Sequence, residues 1–264
     1  MISLDTKRMI YSFYVNDDSF EHPINKLHFK LLERYIHKFD EVIFCIIIDD
    51  RERYDLIQRI EEFVVRIFHK KLTFKIYDNT NYRESLVFYN EIVKQMPHLD
   101  GLTFFGHNKG VSDDDIEIEK VKEWVSALYF FNLEHELPNN DLNSSFFYGA
   151  LKSADINGGI VRDTLIPKNR WYYCGTFFWC KYQELYEYCN KNSIDFPLFT
   201  NRWYDEMFPG NLLGQERGIT YGNFYILRCA CLGDNIDEFL RETYGAAPYI
   251  YDEFITFYKK IIGE

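Results

Sequence analysis

Apolar residues between positions 8 and 106 fall into two alternating rhythms. In RMIYSFYV (8–15), EVIFCIII (41–48), LTFKIYD (72–78) and GLTFFG (101–106), β-branched and aromatic residues run almost without interruption, as they do in short buried strands. Between them the spacing becomes helical. INKLHFKLLERYIHKF (24–39) sets Leu27, Leu31, Leu32 and Ile36 on one face, and YDLIQRIEEFVVRIFHK (54–70) does the same with Leu56, Ile60, Phe63, Val64 and Ile67. RESLVFYNEIVKQM (83–96) reads as a third helix. This alternation predicts an α/β chain with four parallel strands in one sheet, joined by right-handed crossovers, and ligands outside the carboxyl ends of the strands. Those ends carry Asn16-Asp17-Asp18, Asp49-Asp50, Asp78-Asn79 and His107-Asn108-Lys109.

The second half is less regular. The pattern predicts a helix over 117–132, a polar loop, a strand-like FFYGAL (146–151), and a strand over WYYCGTFFWC (171–180) interrupted by Gly175, where a bulge or a close ligand is a common reason for glycine. A helix is expected to begin near Lys181, and another, in NRWYDEMFPGNLLG (201–214), is expected to stop at Pro209-Gly210. No low-complexity linker divides the chain and no internal repeat is visible. The expectation is one domain over 1–264, with a nucleotide-binding half (1–116) and an acceptor-side half with the C-terminal helices (117–264).

Composition narrows the function. With 41 acidic against 30 basic side chains, the formal charge of -11 disfavours general attraction to nucleic acid or anionic lipid. The first residues lack the features of a secretory signal, and the longest apolar run, 42–48, is far short of the roughly 20 residues that span a bilayer. No transmembrane segment and a cytoplasmic location are predicted. The six cysteines form no CxxC pair and the seven histidines no HExxH, which points to reduced, mostly buried thiols rather than a zinc site.

The candidate chemistry lies at the strand ends. Asp49 and Asp50 read as a turn and helix cap, or as hydrogen-bonding partners of a nucleoside. His107 and Lys109 follow a buried strand beside Gly110, whose backbone a ligand could approach closely, a reasonable phosphate contact; the alternative is a solvated turn. Asp113, Asp114 and Asp115 read either as caps for the following helix or as hard oxygen ligands for Mg²⁺ or Mn²⁺. Asp205 and Glu206, adjacent acids among aromatic residues, suit a general base or an ordinary helix terminus. Trp171, Tyr172, Trp179 and Trp203 could offer faces for sugar stacking, although most aromatic residues must serve the core.

In this order the elements resemble the nucleotide-sugar-dependent glycosyltransferases of the GT-A fold. IIIDDRERYD stands where family-2-like members carry the acidic turn DDGS, DNTNYRESLVFYN where they carry an Asn-rich segment, and LTFFGHNKG in place of the strand ending in DxD. His107-Asn108-Lys109-Gly110, Trp124, the stretch from Cys174 to Trp179 and the stretch from Arg202 to Glu206 also resemble, in sequence order, the HTKG, SGNFWW and E-x-W motifs of a branch of polysaccharide glycosyltransferases. The resemblance covers about 8–214. HNK replaces DxD, so the usual metal site is missing from its usual place, and the glycine and serine of DDGS are missing after Asp50.

The resemblance implies a GT-A-like (Rossmann-like), mostly parallel sheet flanked by helices, with an elaborated acceptor-side second half. It implies transfer of a sugar from a nucleotide diphosphate donor to a glycan or lipid-linked acceptor in surface polysaccharide synthesis, such as capsule, by a protein peripheral to the membrane through its acceptor. Asp49 and Asp50 would face the nucleoside, while His107, Lys109 and Gly110 would meet the diphosphate. Asp205 or Glu206 would deprotonate the acceptor in an inverting displacement, and Trp179 or Trp203 would line the acceptor pocket. Mg²⁺ or Mn²⁺ on Asp113 and Asp115 is the open cofactor question. The rival reading is a non-catalytic glycan- or nucleotide-binding protein that keeps the sheet. A nucleotidyltransferase ranks last, because the Gly-rich opening of that family is missing.

Overall fold

The fold is taken from a computed structural model, which describes residues 6–16, 20–49, 53–108, 118–134, 146–150, 152–155, 159–161, 164–166, 170–173, 176–199, 204–213, 218–221 and 248–263. The first half follows the predicted alternation. Strand β1 (Lys7–Val15) leads through α1 (Pro23–Tyr35) to β2 (Glu41–Ile48), through α2 (Tyr54–Ile67) to β3 (Lys71–Asp78), and through α3 (Glu84–Glu91) to β4 (Leu102–His107). Helix α1 begins where proline fits the first turn at Pro23, and the His22 ring accepts from the Ile24 N–H at 3.3 Å. Helix α3 is shorter than its apolar pattern. From Val93 to His98 the chain tightens into a 3₁₀ turn containing Pro97, which lacks an N–H and disfavours α-helical geometry in the residue before it. Gly101 then starts β4 at φ +72°, where a Cβ would lie 2.4 Å from the Thr6 carbonyl oxygen.

Helix α4 (Ile118–Tyr129) ends in a π turn, Phe130–Glu134. The second half adds β5 (Phe147–Ala150), β6 (Lys152–Asp155), β7 (Gly159–Val161), β8 (Thr164–Ile166), β9 (Arg170–Tyr173) and β10 (Phe178–Cys180). Helices α5 (Tyr182–Lys191) and α6 (Tyr204–Leu213), strand β11 (Gly218–Tyr221) and helix α7 (Pro248–Ile262) follow. Among the described residues the main sheet has seven strands in the order β11-β5-β10-β4-β1-β2-β3. All neighbours pair in parallel except β10, which runs antiparallel to both β4 and β5. The α/β class with a mostly parallel sheet flanked by helices is therefore as the sequence predicts.

Two expectations are corrected. The interrupted strand over 171–180 is two strands in different sheets: β9 pairs with β6 in a small ribbon, while β10 lies in the main sheet. The chain changes sheets between Tyr173 and Phe178, where Thr176 takes φ 57°. The helix at 204–213 runs through Pro209-Gly210 rather than stopping there. Proline there removes an N–H from the helical ladder and crowds the carbonyl one turn earlier, while Tyr204, Phe208 and Leu212 hold the helix by burial in the core.

Strand residues alternate between two cores. Met9, Tyr11, Phe13, Val42, Phe44, Ile46 and Phe104 pack with α1, α2, α4 and α7, whereas Ile10, Cys45, Ile47 and Phe105 pack with α3, α5 and α6. Burial on both faces explains the nearly continuous apolar runs in β1, β2 and β4. Of the six cysteines, Cys45, Cys180 and Cys189 are described and are free and buried, as expected. No helix among the described residues is long and apolar enough to cross a membrane.

Candidate functional site

Strand order places the site. The chain adds β2 and β3 on one side of β1 and then returns to place β4 on the other, so the connections diverge between β1 and β4. At such a switch point the loops separate and leave a crevice outside the carboxyl ends of the strands. Asn108 holds that crevice in shape. Its amide oxygen accepts from the Tyr14 N–H at 2.8 Å, and its amide nitrogen donates to the Tyr14 carbonyl at 2.8 Å and to Asn25 Oδ1 at 2.9 Å. The backbone N–H of Asn108 donates to the Ser12 carbonyl at 3.2 Å. Asn108 thereby continues the β1–β4 pairing past the last strand residue and ties it to the first turn of α1.

Asp49 stands at the end of β2, exposed, with both carboxylate oxygens engaged. The Tyr14 hydroxyl donates to Oδ2 at 2.6 Å from β1, and the Asn79 amide donates to Oδ1 at 2.6 Å from beyond β3. Asn79 is held in turn by its own N–H, which donates to the Ile48 carbonyl at 2.9 Å. Burial pushes the Tyr14 hydroxyl up to about 12, with the Asp49 hydrogen bond and charge acting in the same direction and Arg83 opposing them. The three strand ends thus present a carboxylate oriented by two neutral donors, with remaining lone pairs to accept from a ligand.

Arg83 lies just before α3 with φ 47° and ψ -130°, backbone angles that a residue with a Cβ rarely adopts. Such strain persists only where the surroundings impose it, and it collects at ligand-binding sites. The Arg83 side chain is exposed, and its positive charge acts on the Tyr14 hydroxyl against the effect of burial.

His107 closes β4 with 5% exposure, and its ring centroid is 6.0 Å from that of Phe177. It is the register partner of Ser12 on β1. The buried Ser12 Oγ and Thr176 Oγ1 have no hydrogen-bond partner among the described residues, so the end of β4 is lined by polar side chains as well as aromatic ones.

Not every expected residue joins this site. Trp179 is 3% exposed, stacks on Phe39 with centroids 5.3 Å apart, and donates its indole N–H to the Asn132 carbonyl at 2.9 Å. That geometry makes Trp179 a core residue with its polar edge satisfied, not a wall of an open pocket. Asp205 is 1% exposed and accepts from the Ser85 hydroxyl at 2.5 Å, which fastens α6 to the first turn of α3. Glu206 follows on the α6 backbone, but its side chain lies outside the described residues, as do Asp50, Lys109, Gly110, Asp113, Asp114, Asp115 and Trp203. Among the described residues no group of three or more His, Cys, Asp or Glu is placed to hold a metal ion.

Sequence reasoning missed Tyr14, Asn79, Arg83 and the bracing role of Asn108. Asn79 and Asn108 sit in the polar groups at the strand ends, so the sequence does carry a signal for them. Tyr14 looks like one more aromatic residue of a strand, and nothing in the sequence marks the backbone of Arg83.

No protein-family model matches this chain, and no curated protein matches it by sequence. Among solved structures it is similar to the crystal structure of S. aureus TarS 1-349, with 15% sequence identity and a TM-score of 0.35, over 86% of this chain and 64% of that one. The chain thus spans a little under two thirds of the length of that structure, matched at 64%.

Proposed function

We propose that this chain is a glycosyltransferase that moves a sugar from a nucleotide diphosphate donor to a hydroxyl of a glycan or lipid-linked acceptor. The observation that carries the reading is the Asp49 carboxylate, oriented by Tyr14 and Asn79 at the open end of a parallel sheet beside the switch point. A carboxylate held in this way suits the N–H and hydroxyl donors of a nucleoside, while cations nearby suit its phosphates.

In this reading Asp49 and Asp50 accept from the nucleoside. His107, Lys109, the Gly110 backbone and Arg83 face the diphosphate. The acceptor oxygen attacks the anomeric carbon as its proton passes to a carboxylate, and the bond from that carbon to the phosphate oxygen breaks. Negative charge then grows on the departing diphosphate, where fixed cations lower the barrier most. Of the acidic pair, Asp205 is committed to Ser85, so Glu206 takes the role of base and Asp205 positions it by anchoring α6 against α3. Trp203 remains the aromatic candidate for the acceptor side. A divalent ion on Asp113 and Asp115 would add charge neutralisation at the phosphates, and no step above depends on it. Work at a surface polymer such as capsule, from the cytoplasmic side of the membrane, belongs to the same proposal.

The test is donor hydrolysis. Slow release of sugar from a nucleotide sugar that falls on the order of 10²-fold or more in Glu206→Gln, with donor binding retained, supports the enzyme. Donor binding with no release in any variant supports the rival, a binding protein on the same sheet, which the replacement of DxD by HNK favours.

A further inference from the structure

Strand β3 is the last strand of the sheet, paired in parallel with β2 over its whole length, and among the described residues no strand lies against its outer side. It is eight residues long and contains no proline. An edge of this kind is usually protected by lysines projecting past it. Here the two lysines of the strand are turned back onto their own chain, Lys71 to Glu41 at 2.5 Å and Lys75 to Glu91 at 2.5 Å, while Lys70, just before the strand, reaches Asp40 at 3.2 Å with half of its side chain exposed. Ile76 remains 39% exposed beside the half-buried Leu72 and Phe74.

We propose that β3 is the seam of a two-fold dimer, pairing antiparallel with β3 of a second copy and extending the sheet across both. The sequence of the strand fits this arrangement in one register. A two-fold axis perpendicular to the sheet keeps each face continuous, so the axis must pass through a residue position and pair it with itself. Centred on Phe74, the face shared with α2 brings Phe74 to its own copy, Leu72 to the partner's Ile76 and Lys70 to the partner's Asp78. The opposite face sets Lys71 against the partner's Tyr77 and Thr73 against the partner's Lys75. Apolar residues meet apolar residues, opposite charges meet at the ends, and no like charges face one another. Moving the centre to Lys75 sets that lysine against itself and Leu72 against the partner's Asp78. Moving it to Thr73 sets Lys71 against the partner's Lys75. Both neighbouring registers therefore oppose like charges at the seam, which selects the one centred on Phe74.

The proposal is independent of the activity, and sedimentation velocity from nanomolar to high micromolar protein tests it. The wild type is expected to dimerise. Ile76→Glu, at an exposed position that keeps the fold, is expected to raise the dissociation constant at least about tenfold, because symmetry places two new carboxylates in the apolar seam. Asp78→Lys is expected to weaken the dimer through two Lys–Lys oppositions, and Lys70→Glu with Asp78→Lys to restore it. Circular dichroism melts confirm that each variant is folded. A wild type that is monomeric throughout overturns the proposal. So does a dimer whose association is unchanged by Ile76→Glu and by the charge exchange.

Discussion

Asn108 pairs with Tyr14 as though β4 continued for one residue more: its side-chain amide both accepts from and donates to the Tyr14 backbone, each at 2.8 Å. The two residues thereby fix the separation of β1 and β4 at the switch point, and Tyr14 in turn holds Asp49. Asn108→Ala removes both bonds and the one to Asn25, leaving buried polar groups behind. A stability loss of about 2–3 kcal/mol in urea denaturation is expected. Asn108→Asp is expected to lose a similar amount at neutral pH, since a carboxylate cannot donate to the Tyr14 carbonyl. A loss within experimental error in both variants would show that the switch point is held by other contacts.

The Tyr14–Asp49 bond gives a pH signature. The Tyr14 hydroxyl titrates near 10 when unfolded and at about 12 in the folded protein. Because the folded value is raised, its contribution to stability is complete below about pH 10 and is lost as pH climbs through about 12. Other buried tyrosines, among them Tyr11 and Tyr204, are raised too, so the measurement is a difference. Wild type minus Tyr14→Phe stability, followed by denaturation across this range, is expected to shrink with rising pH. A difference independent of pH would place Tyr14 in bulk solvent.

Trp179 separates core from pocket. Trp179→Ala is expected to cost about 3–5 kcal/mol, in line with loss of a buried aromatic side chain, whereas Trp179→Phe keeps most of the packing. Per folded molecule, the donor-hydrolysis rate of Trp179→Phe is expected to match the wild type. A large rise in acceptor KM without loss of stability would instead put the ring in the acceptor site.

Arg83 allows strain and charge to be separated. Arg83→Gly relieves the backbone and is expected to be about 1 kcal/mol more stable than Arg83→Ala, which keeps the strain. Both lose the cation, so both are expected to bind nucleotide diphosphates more weakly than the wild type. Equal affinity in all three proteins would remove Arg83 from the phosphate side.

How much of this was legible follows from where each signal resides. β2 could be read to the residue because its apolar positions from 42 to 48 are buried or half-buried between two helix layers, so burial itself is written in the sequence. The division of 171–180 between two sheets could not be read, because a strand that changes sheets and a bulged strand share the same alternation around Gly175. Trp179 offered an aromatic face in the sequence, yet its indole N–H finds Asn132, a partner 47 positions away that only the fold supplies. Asp49 was legible as a strand-end acid, but its orientation depends on Tyr14 and Asn79, which only the parallel registers bring beside it. Asp205 looked like its neighbour Glu206 until the packing of α6 on α3 committed it to Ser85.

In the proposed function the Asp49 cluster receives the nucleotide of a sugar donor. Isothermal titration of wild type and Asp49→Ala with a panel of nucleoside diphosphates and nucleotide sugars, each with and without Mn²⁺, tests it most directly. At least one nucleotide sugar is expected to bind the wild type and to bind Asp49→Ala on the order of tenfold or more weakly, since a charged hydrogen bond is worth about 1.5–3 kcal/mol, with Asp49→Ala still folding cooperatively despite losing its bonds to Tyr14 and Asn79. Absence of binding by every nucleotide and nucleotide sugar, or equal binding by the two proteins, would contradict it.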